Sequence, residues 1–456
     1  MSNRNLSLSE LDSAHLLHPI TEFRTHEKKG PRIFTGGQGI RLETSDGKTV
    51  IDGFSGLFNI NIGHGRTEVA DAVAEQMRKL AFYPSFYGFS SEPAIKLAER
   101  MASLVPDGSD ISHFLFTTGG SDANETIFRT ARLYHAVLGE PQRMKILSRR
   151  WSYHGITRAA GSATTLPVYH VFSPPDPLHI YVAAPYCFRC EFDCVLTDCN
   201  YKCIDAVEEA IHKEGAETIA AFVAEPVAGT GGIIPPPPEY FSRLEKLCKS
   251  HGILLILDEV ITGFGRTGKW FGMEHWNIYP DLMSFAKGIT SGYLPLGGMG
   301  ITRHVYETIR DKSPDKFPFM AGLTYNNHPA SCAAALVNID IIQNEGLVEN
   351  ARETGAYLLE CMNQAFGSHP FVADIRGLGM LASIECAQPG TKKPVGGRQM
   401  SFTNAVSSLC WEEGLIIRSL WENISLAPPL CTTRTEIDEI VCILQKAVDS
   451  ITRRFA

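Results

Sequence analysis

Three ionisable side chains stand at the ends of apolar segments in the middle of the chain. Glu225 follows "AAFVA", Asp258 follows "LLIL", and Lys287 lies in "DLMSFAKG". Ligands of doubly wound sheets bind beyond the carboxyl ends of the strands, which is where these side chains would lie. A structural ion pair between Asp258 and Lys287 would explain two of them. The alternative is a desolvated, nucleophilic lysine and a carboxylate that faces a bound heterocycle.

A glycine-rich turn opens an amphipathic helix in "FTTGGSDANETIFRTARLYHAV" (116–137). The free N–H groups of Gly120 and Ser121 and the helix dipole predict an anion site that suits a phosphate group. Asp122 and Glu125 have the spacing of a capping pattern, so an ordinary capped helix is the alternative interpretation.

An aromatic side chain with glycine close by occurs in "WSYHG" (151–155). The ring of Tyr153 could stack on a planar ligand, although core packing explains most single tyrosines. A lysine, a carboxylate, a stacking ring and a phosphate-binding helix start are together the parts of a pyridoxal phosphate site.

The surrounding elements indicate how such a site would be positioned. Near-continuous apolar runs at 218–227, 252–260 and 281–288 predict strands of a sheet that is covered on both faces. Residues 239–252 have helical spacing and end at a glycine, and strand–helix–strand alternation predicts a parallel α/β layer. In the N-terminal part, "GIRLETSDGKTVIDG" predicts a hairpin that turns at Asp46-Gly47.

The sequence resembles the class III aminotransferases, which are pyridoxal phosphate enzymes of fold type I, and especially their ω-aminotransferase branch. The resemblance runs from "HPITEF" (18–23) to "APPL" (427–430), and its most specific part is "LDEVITGFGRTG…FAKGITSGYLPLGG". It implies a large α/β domain with a mostly parallel seven-stranded sheet and a small α+β domain from both termini. We place the boundaries at 1–59 (small domain), 60–330 (large domain) and 331–456 (small domain).

The resemblance also assigns roles to the residues around the cofactor. Lys287 matches the lysine that forms the Schiff base, and Asp258 matches the carboxylate on the pyridine nitrogen. Val260 matches the residue beneath the ring and Tyr153 the aromatic above it. Glu225 matches an acidic neighbour of the cofactor oxygen.

Phosphate contacts are implied at two places. Gly120 and Ser121 match the residues of the phosphate cup. This chain has Gly119-Gly120-Ser121 at the position where most of the family has Ser-Gly-Ser. Thr324 in "AGLTYNNHP" matches a threonine that reaches the phosphate from the other subunit. The resemblance therefore implies a homodimer or a dimer of dimers.

The substrate pocket is the part where this chain departs from its relatives. Phe58 stands where many ω-aminotransferases have tryptophan, and Phe86, Tyr87 and Thr230 are further candidates for the pocket lining, with simple packing as the alternative for each. Arg418 in "EGLIIRSLWENISLAPPL" matches the mobile arginine that binds carboxylates, although it could be a surface residue at a strand end.

Composition excludes several classes of function. The chain has 456 residues, a net charge of −8 and scattered basic residues, which argues against nucleic acid and anionic membranes as partners. No apolar run approaches the ~20 residues of a membrane span. Twelve cysteines without a secretory signal predict reduced thiols in the cytoplasm.

Five of the cysteines lie within "CFRCEFDCVLTDCNYKC" (187–203). The first pair has the CxxC spacing of a zinc site, but the later spacings do not repeat it and the segment contains no histidine. We expect free thiols in a surface loop here and no metal in the protein.

The sequence thus predicts an aminotransferase that moves an amino group from a primary amine or ω-amino acid to an oxo acid, with pyruvate as the expected acceptor, by a ping-pong mechanism. Three related activities stay open: a 2-oxoglutarate-dependent aminotransferase, an aminomutase and a decarboxylating relative. A protein that binds pyridoxal phosphate without turnover is a further alternative, from a different class of function.

Overall fold

The N-terminal part of the chain folds into a small antiparallel sheet around the predicted turn. In the computed structural model, which describes residues 6–397 and 400–455, strand β2 (Arg41–Thr44) pairs with β1 (Phe34–Gln38) and β3 (Thr49–Asp52). Gly47 has φ +82°, which glycine adopts without strain. The predicted hairpin is therefore confirmed. Helices α1 (Leu8–His15) and α2 (Phe23–Lys29) precede the sheet, and one turn, α3 (Ser55–Phe58), follows it.

The apolar runs in the middle of the chain form one seven-stranded sheet. Its strands are β4 (Ile111–Thr117), β5 (Lys145–Arg149), β6 (His179–Val182), β7 (Ile219–Ala224), β8 (Leu254–Asp258), β9 (Leu282–Phe285) and β10 (Gly297–Thr302). They follow the order β4-β10-β9-β8-β7-β5-β6, in which β10 is antiparallel to both neighbours and the other pairs are parallel. This is the mostly parallel sheet that the sequence predicts.

Helices cover both faces of this sheet. They are α4 (Thr67–Lys79), α5 (Glu92–Leu104), α6 (Gly120–Val137), α7 (Arg158–Ala163), α8 (Lys202–Glu214), α9 (Tyr240–Ser250), α10 (Arg303–Lys312) and α11 (Pro329–Asn344). Alternate residues of β8 show the two faces: Leu255 and Leu257 pack in the cluster that includes α5, α8 and α9, while Leu254 and Ile256 pack with α6, α7 and α10. Since side chains alternate along a strand, a strand that is covered on both sides is apolar throughout.

A second antiparallel sheet lies in the C-terminal part. The elements there are α12 (Leu347–Phe366), β11 (Val372–Leu378), β12 (Leu381–Cys386), β13 (Gly396–Gly397), β14 (Met400–Ser401), α13 (Phe402–Glu412), β15 (Leu415–Ile416), β16 (Arg418–Leu420), β17 (Asn423–Leu426) and α14 (Arg434–Phe455). The sheet has the order β11-β12-β17-β16, whereas β15 pairs in parallel with β3 of the N-terminal sheet. Chain ends that are far apart in sequence thus share a sheet, and the domain boundaries at 59 and 330 stay a prediction.

No helix in the described ranges has the length and apolar character needed to cross a membrane.

Candidate active site

Asp258 ends β8 and is buried in a network of hydrogen bonds. Its Oδ2 accepts hydrogen bonds from Asn124 Nδ2 at 2.8 Å and from the His154 ring at 2.7 Å. Its Oδ1 accepts the N–H of Val260 at 3.0 Å. The strand therefore ends in a carboxylate whose two oxygens are both held by hydrogen-bond donors.

Lys287 lies beyond the end of neighbouring β9 and lines the same cavity as Asp258. Burial lowers the pKa of its amine to about 8, although Asp258 and Glu225 oppose this shift. Among the described residues Lys287 forms no ion pair within 4.0 Å, so the structural ion pair considered above is wrong. The amine and the carboxylate instead face a shared cavity of ≈ 160 Å³.

The start of α6 forms the third side of this cavity. Its first N–H groups have no partner within the helix, and Gly120 and Ser121 both line the cavity. A Cβ atom on Gly120 would lie 3.0 Å from the Val260 side chain. A Cβ on Gly155, which has φ +131°, would lie 2.6 Å from Ser121 Oγ. Glycine at both positions keeps this end of the cavity open.

Asp122 and Glu125 do not cap helix α6. The helix begins after Gly119, which offers no side-chain cap. Glu125 Oε2 accepts the Thr157 hydroxyl at 2.7 Å and the N–H of Ala159 at 2.9 Å, and thus fixes the start of α7. The interpretation of this segment as an ordinary capped helix is therefore wrong.

Tyr153 and Glu225 complete the lining of the cavity. Glu225 Oε1 accepts the N–H of Tyr153 at 3.1 Å, and its Oε2 accepts the N–H of Gly229 at 2.9 Å. Burial raises the pKa of the Glu225 carboxyl, against the opposing effect of His154. The site therefore contains two acids with different environments: Asp258 with three donors and Glu225 with a raised pKa.

Arg418 begins β16 and is half-buried, with its guanidinium carbon 5.6 Å from the centre of the Phe54 ring. Within residues 6–397 and 400–455 it forms no ion pair within 4.0 Å. Its charge nevertheless acts on the active site, since it lowers the pKa of Lys287. Phe58 is buried nearby, with its ring 5.6 Å from the Lys287 amine.

The remaining predicted residues lie outside this cavity in a single chain. Thr230 is buried in the loop whose Gly229 donates to Glu225. Phe86 lies against Gly322, and Tyr87 is 95% exposed. Thr324 is exposed on the same side as Phe86. Their roles in binding substrate or phosphate stay predictions.

Sequence reasoning missed Asn124 and His154. Both line the cavity and donate to Asp258, and Asn124 Nδ2 also donates to the His154 carbonyl at 2.8 Å. The signal was present, because Asn124 follows Gly120 by four residues on one helix face and a buried carboxylate requires donors. By contrast, Glu259 serves the fold: it accepts the N–H groups of Gly272 and Met273 at 2.8 and 2.7 Å.

The residues present fit a pyridoxal phosphate molecule. The open cradle at Gly120 and Gly155 suits a phosphate at a helix start, and Asp258 offers a carboxylate to a protonated ring nitrogen. Two buried polar atoms of the network, His154 Nε2 and Asn124 Oδ1, have no hydrogen-bond partner in the described residues. A bound group or a water molecule beside them would satisfy these atoms.

Comparisons with known proteins agree with this geometry. The family model described as aminotransferase class-III matches residues 24–448. A diaminobutyrate–2-oxoglutarate transaminase of Halomonas elongata is 40% identical over 453 residues, which cover 98% of this chain and 96% of that protein. A putrescine–pyruvate aminotransferase of Pseudomonas aeruginosa is 35% identical over 444 residues, which cover 96% of this chain and 95% of that protein. The crystal structure of an (S)-enantioselective ω-transaminase from Thermomicrobium roseum superimposes with a TM-score of 0.93 at 42% identity, over 97% and 98% of the two chains.

Proposed function

Because the chain belongs to the class III aminotransferases, we propose that it moves an amino group from a primary amine or an ω-amino acid to an oxo acid, with pyruvate as the acceptor. The observation that carries this proposal is the Lys287 amine, which has no ion-pair partner among the described residues and lines one cavity with Asp258. The first residues of helix α6, Gly120 and Ser121, line the same cavity. An enzyme of this family has pyridoxal phosphate as its cofactor.

Most of the lining residues have a defined task in this proposal. Gly120 and Ser121 would donate N–H groups to the phosphate, Tyr153 and Val260 would enclose the ring, and Asp258 would be the acceptor for a protonated ring nitrogen. Asn124 and His154 hold the Asp258 carboxylate in place. When bound, the cofactor supplies a ring that accepts electron density from the substrate carbon.

Lys287 moves the proton in this reaction. With a pKa of about 8, a substantial share of its amine is neutral near pH 8, and a neutral amine can accept a proton from the substrate carbon and return it to another carbon. Burial is the main cause of this low pKa. The packing that encloses the site therefore also increases the neutral fraction of the Lys287 amine.

Arg418 supports pyruvate as the acceptor. Its planar fork suits one carboxylate, and its freedom from internal ion pairs lets it leave the pocket when an uncharged amine binds. A fixed cation would remain uncompensated in that case. Apart from Lys287 and His154, the described residues that line the cavity carry no basic side chain, so a second carboxylate would need a partner from elsewhere.

A 2-oxoglutarate-dependent reaction is the second candidate, because the relative from Halomonas elongata carries that acceptor in its name. An aminomutase or a decarboxylating reaction would instead proceed without a second oxo acid. The proposed assembly is a homodimer or a dimer of dimers, and twelve free cysteines in the structure suit the proposed cytoplasmic location.

A matrix of amines against pyruvate and 2-oxoglutarate tests the proposal. We expect turnover only when an amine and an oxo acid are both present, with pyruvate giving the higher kcat/KM. Lys287→Ala is the matched control, since it removes the base and should abolish turnover and the borohydride-fixed cofactor. Turnover without an oxo acid would contradict transamination, and a clear preference for 2-oxoglutarate would overturn the proposed acceptor.

A further inference from the structure

The first two helices of the chain form a segment without a hydrophobic core. Neither α1 nor α2 buries a single residue, and apolar side chains such as Leu17 and Ile20 are more than 80% exposed. Two short helices without a single buried residue have little apolar packing to fix them against each other. Small independent domains with too small a core use a metal or another cross-link for this purpose, and the same device would suit this segment.

Three metal-ligating side chains nevertheless converge between these helices. Asp12 lies on α1, His26 lies on α2, and His18 lies in the connection between them. His18 Nε2 lies 2.9 Å from Asp12 Oδ2, and His26 Nε2 lies 2.8 Å from Asp12 Oδ1. The three side chains are 13–29% exposed, in a segment where most neighbouring side chains are exposed.

The arrangement matches a ligand set better than a chance surface cluster. All three ligand atoms lie within 4.8 Å of one another, and ligands of a tetrahedral zinc ion are roughly 3.3–3.5 Å apart given Zn–N and Zn–O bonds of about 2.0–2.2 Å. The centroids of the two imidazole rings lie 4.3 Å apart. Both rings contact the Asp12 carboxylate through Nε2.

We propose that Asp12, His18 and His26 bind a divalent transition metal such as zinc, which fastens α1 to α2. Two imidazoles and one carboxylate are typical ligands of Zn²⁺, and they leave a fourth position for water. On binding, each imidazole gives its Nε2 lone pair to the ion, and the proton that Nε2 shares with Asp12 in the metal-free protein moves to Nδ1 of a neutral ring or leaves a charged ring for solvent. The site is separate from the cavity that holds Lys287, and its role is to order the N-terminal segment.

The expectation that the protein holds no metal rests on the spacing of the cysteine segment alone. In the structure, Cys187, Cys190, Cys194, Cys199 and Cys203 line one small cavity as free thiols. No three of their sulfurs in the described chain lie within 4.8 Å of one another, so the cysteines form no comparable ligand set. Spacing along the sequence gives no sign of the Asp12, His18 and His26 group, since these side chains come together only through the fold.

Zinc titration of the holoenzyme by calorimetry tests the proposal. We expect saturable binding of one ion per chain, weakened at least about tenfold in Asp12→Asn and in His26→Gln, each of which removes one ligand with little change in size. His15→Gln is the matched control, since His15 is an exposed histidine on the same helix. His212→Gln controls for the other group of suitable spacing, Glu208, His212 and His251, two of which are exposed.

Limited trypsin digestion gives a second, independent readout. Zinc should slow cleavage after the exposed Arg24, Lys28 and Lys29 in the wild type and in His15→Gln but not in Asp12→Asn. Binding that survives Asp12→Asn and is lost in Cys187→Ser or His212→Gln would overturn the assignment. Absence of saturable binding to the wild type would overturn it as well.

Discussion

At the scale of single residues, the depressed pKa of Lys287 leads to a direct prediction. Burial favours the neutral amine, so its titration is expected near pH 8 instead of the usual 10.5. Asp258 opposes this effect by raising the pKa, and Asp258→Asn should therefore move the midpoint to a still lower pH. Reductive methylation of the apoenzyme, followed by peptide mass spectrometry, measures the neutral fraction of Lys287 at each pH.

Exposed Lys96 is measured in the same samples as an internal reference. A midpoint for Lys287 close to 10.5 would contradict the role of burial. A rise in the Asp258→Asn variant would contradict the electrostatic coupling between the two groups. The apoenzyme is used because a bound cofactor adds charges of its own.

The unpaired guanidinium of Arg418 leads to a second prediction. Arg418→Ala should raise KM for pyruvate by about 10- to 100-fold, which corresponds to ~1.5–3 kcal/mol for lost charge-assisted hydrogen bonds. The half-reaction with an uncharged arylalkylamine should change much less, because that substrate offers no carboxylate. Arg352→Ala, at an exposed arginine paired only with Glu349, serves as the control. Equal losses with both substrates would exclude Arg418 as the carboxylate anchor.

The sequence predicted the reactive residues better than it predicted the residues that hold them by hydrogen bonds. Lys287 and Asp258 stand at strand ends, where a polar residue after an apolar run is conspicuous, and the family resemblance gave their proposed roles. Asn124 and His154 are less conspicuous, because their importance depends on a carboxylate that is 134 and 104 residues away. Contacts of that length follow from the assembled sheet and not from local spacing.

At the scale of elements, Arg376 joins the loop after β7 to the C-terminal sheet. From β11, its Nε donates to the carbonyls of Gly232 at 3.1 Å and Ile233 at 2.9 Å, and its Nη2 donates to Asn423 at 2.6 Å. Its Nη1 forms an ion pair with the fully buried Glu385 at 2.7 Å. The same loop donates from Gly229 to Glu225 in the cavity, and β17, which holds Asn423, pairs with the strand of Arg418.

We expect Arg376 to be a positioning residue for both sides of the pocket. Arg376→Lys keeps the charge beside Glu385 but cannot reach three acceptors at once, since lysine lacks the planar fork. It should raise KM for pyruvate more than it lowers kcat, with little loss of stability. Arg376→Met leaves Glu385 buried with less charge compensation and should lower the free energy of unfolding by about 3–5 kcal/mol. If both variants lose stability and activity in parallel, Arg376 has only a structural role.

The elements themselves were largely predictable. Residues 239–252 form α9 (Tyr240–Ser250), and 218–227, 252–260 and 281–288 contain β7, β8 and β9. The strands are shorter than the apolar runs because apolar character continues into buried loops such as 226–228. The pairing of β15 with β3 was not predictable, since β15 has only two residues, Leu415 and Ile416, and gains its partner from the opposite end of the chain.

At the scale of the whole molecule, the segment around Thr324 exposes several large apolar groups. Met320, Leu323 and Tyr325 are 66%, 45% and 57% exposed, and the exposed Phe86 lies against Gly322 of the same segment. Exposed apolar groups that lie close together are typical of an interface. Thr324 lies within this segment and does not line the cavity of its own chain. We therefore expect a homodimer in which Thr324 contributes to the phosphate site of the partner.

Thr324→Val tests this arrangement with almost no change in shape. Loss of one hydrogen bond to a charged phosphate, about 1.5–3 kcal/mol, should weaken cofactor binding roughly 10- to 100-fold. A mixed dimer of this variant with Lys287→Ala distinguishes the two possible origins of the threonine. If Thr324 acts across the interface, the site with an intact Lys287 receives an intact Thr324 from the other chain, and its cofactor affinity matches the wild type. If Thr324 acts within its own chain, every site that keeps Lys287 also has valine, and the affinity stays weak. Cofactor titration of the purified mixed dimer decides between these outcomes, because one intact site per dimer arises only when the phosphate site is shared between two subunits.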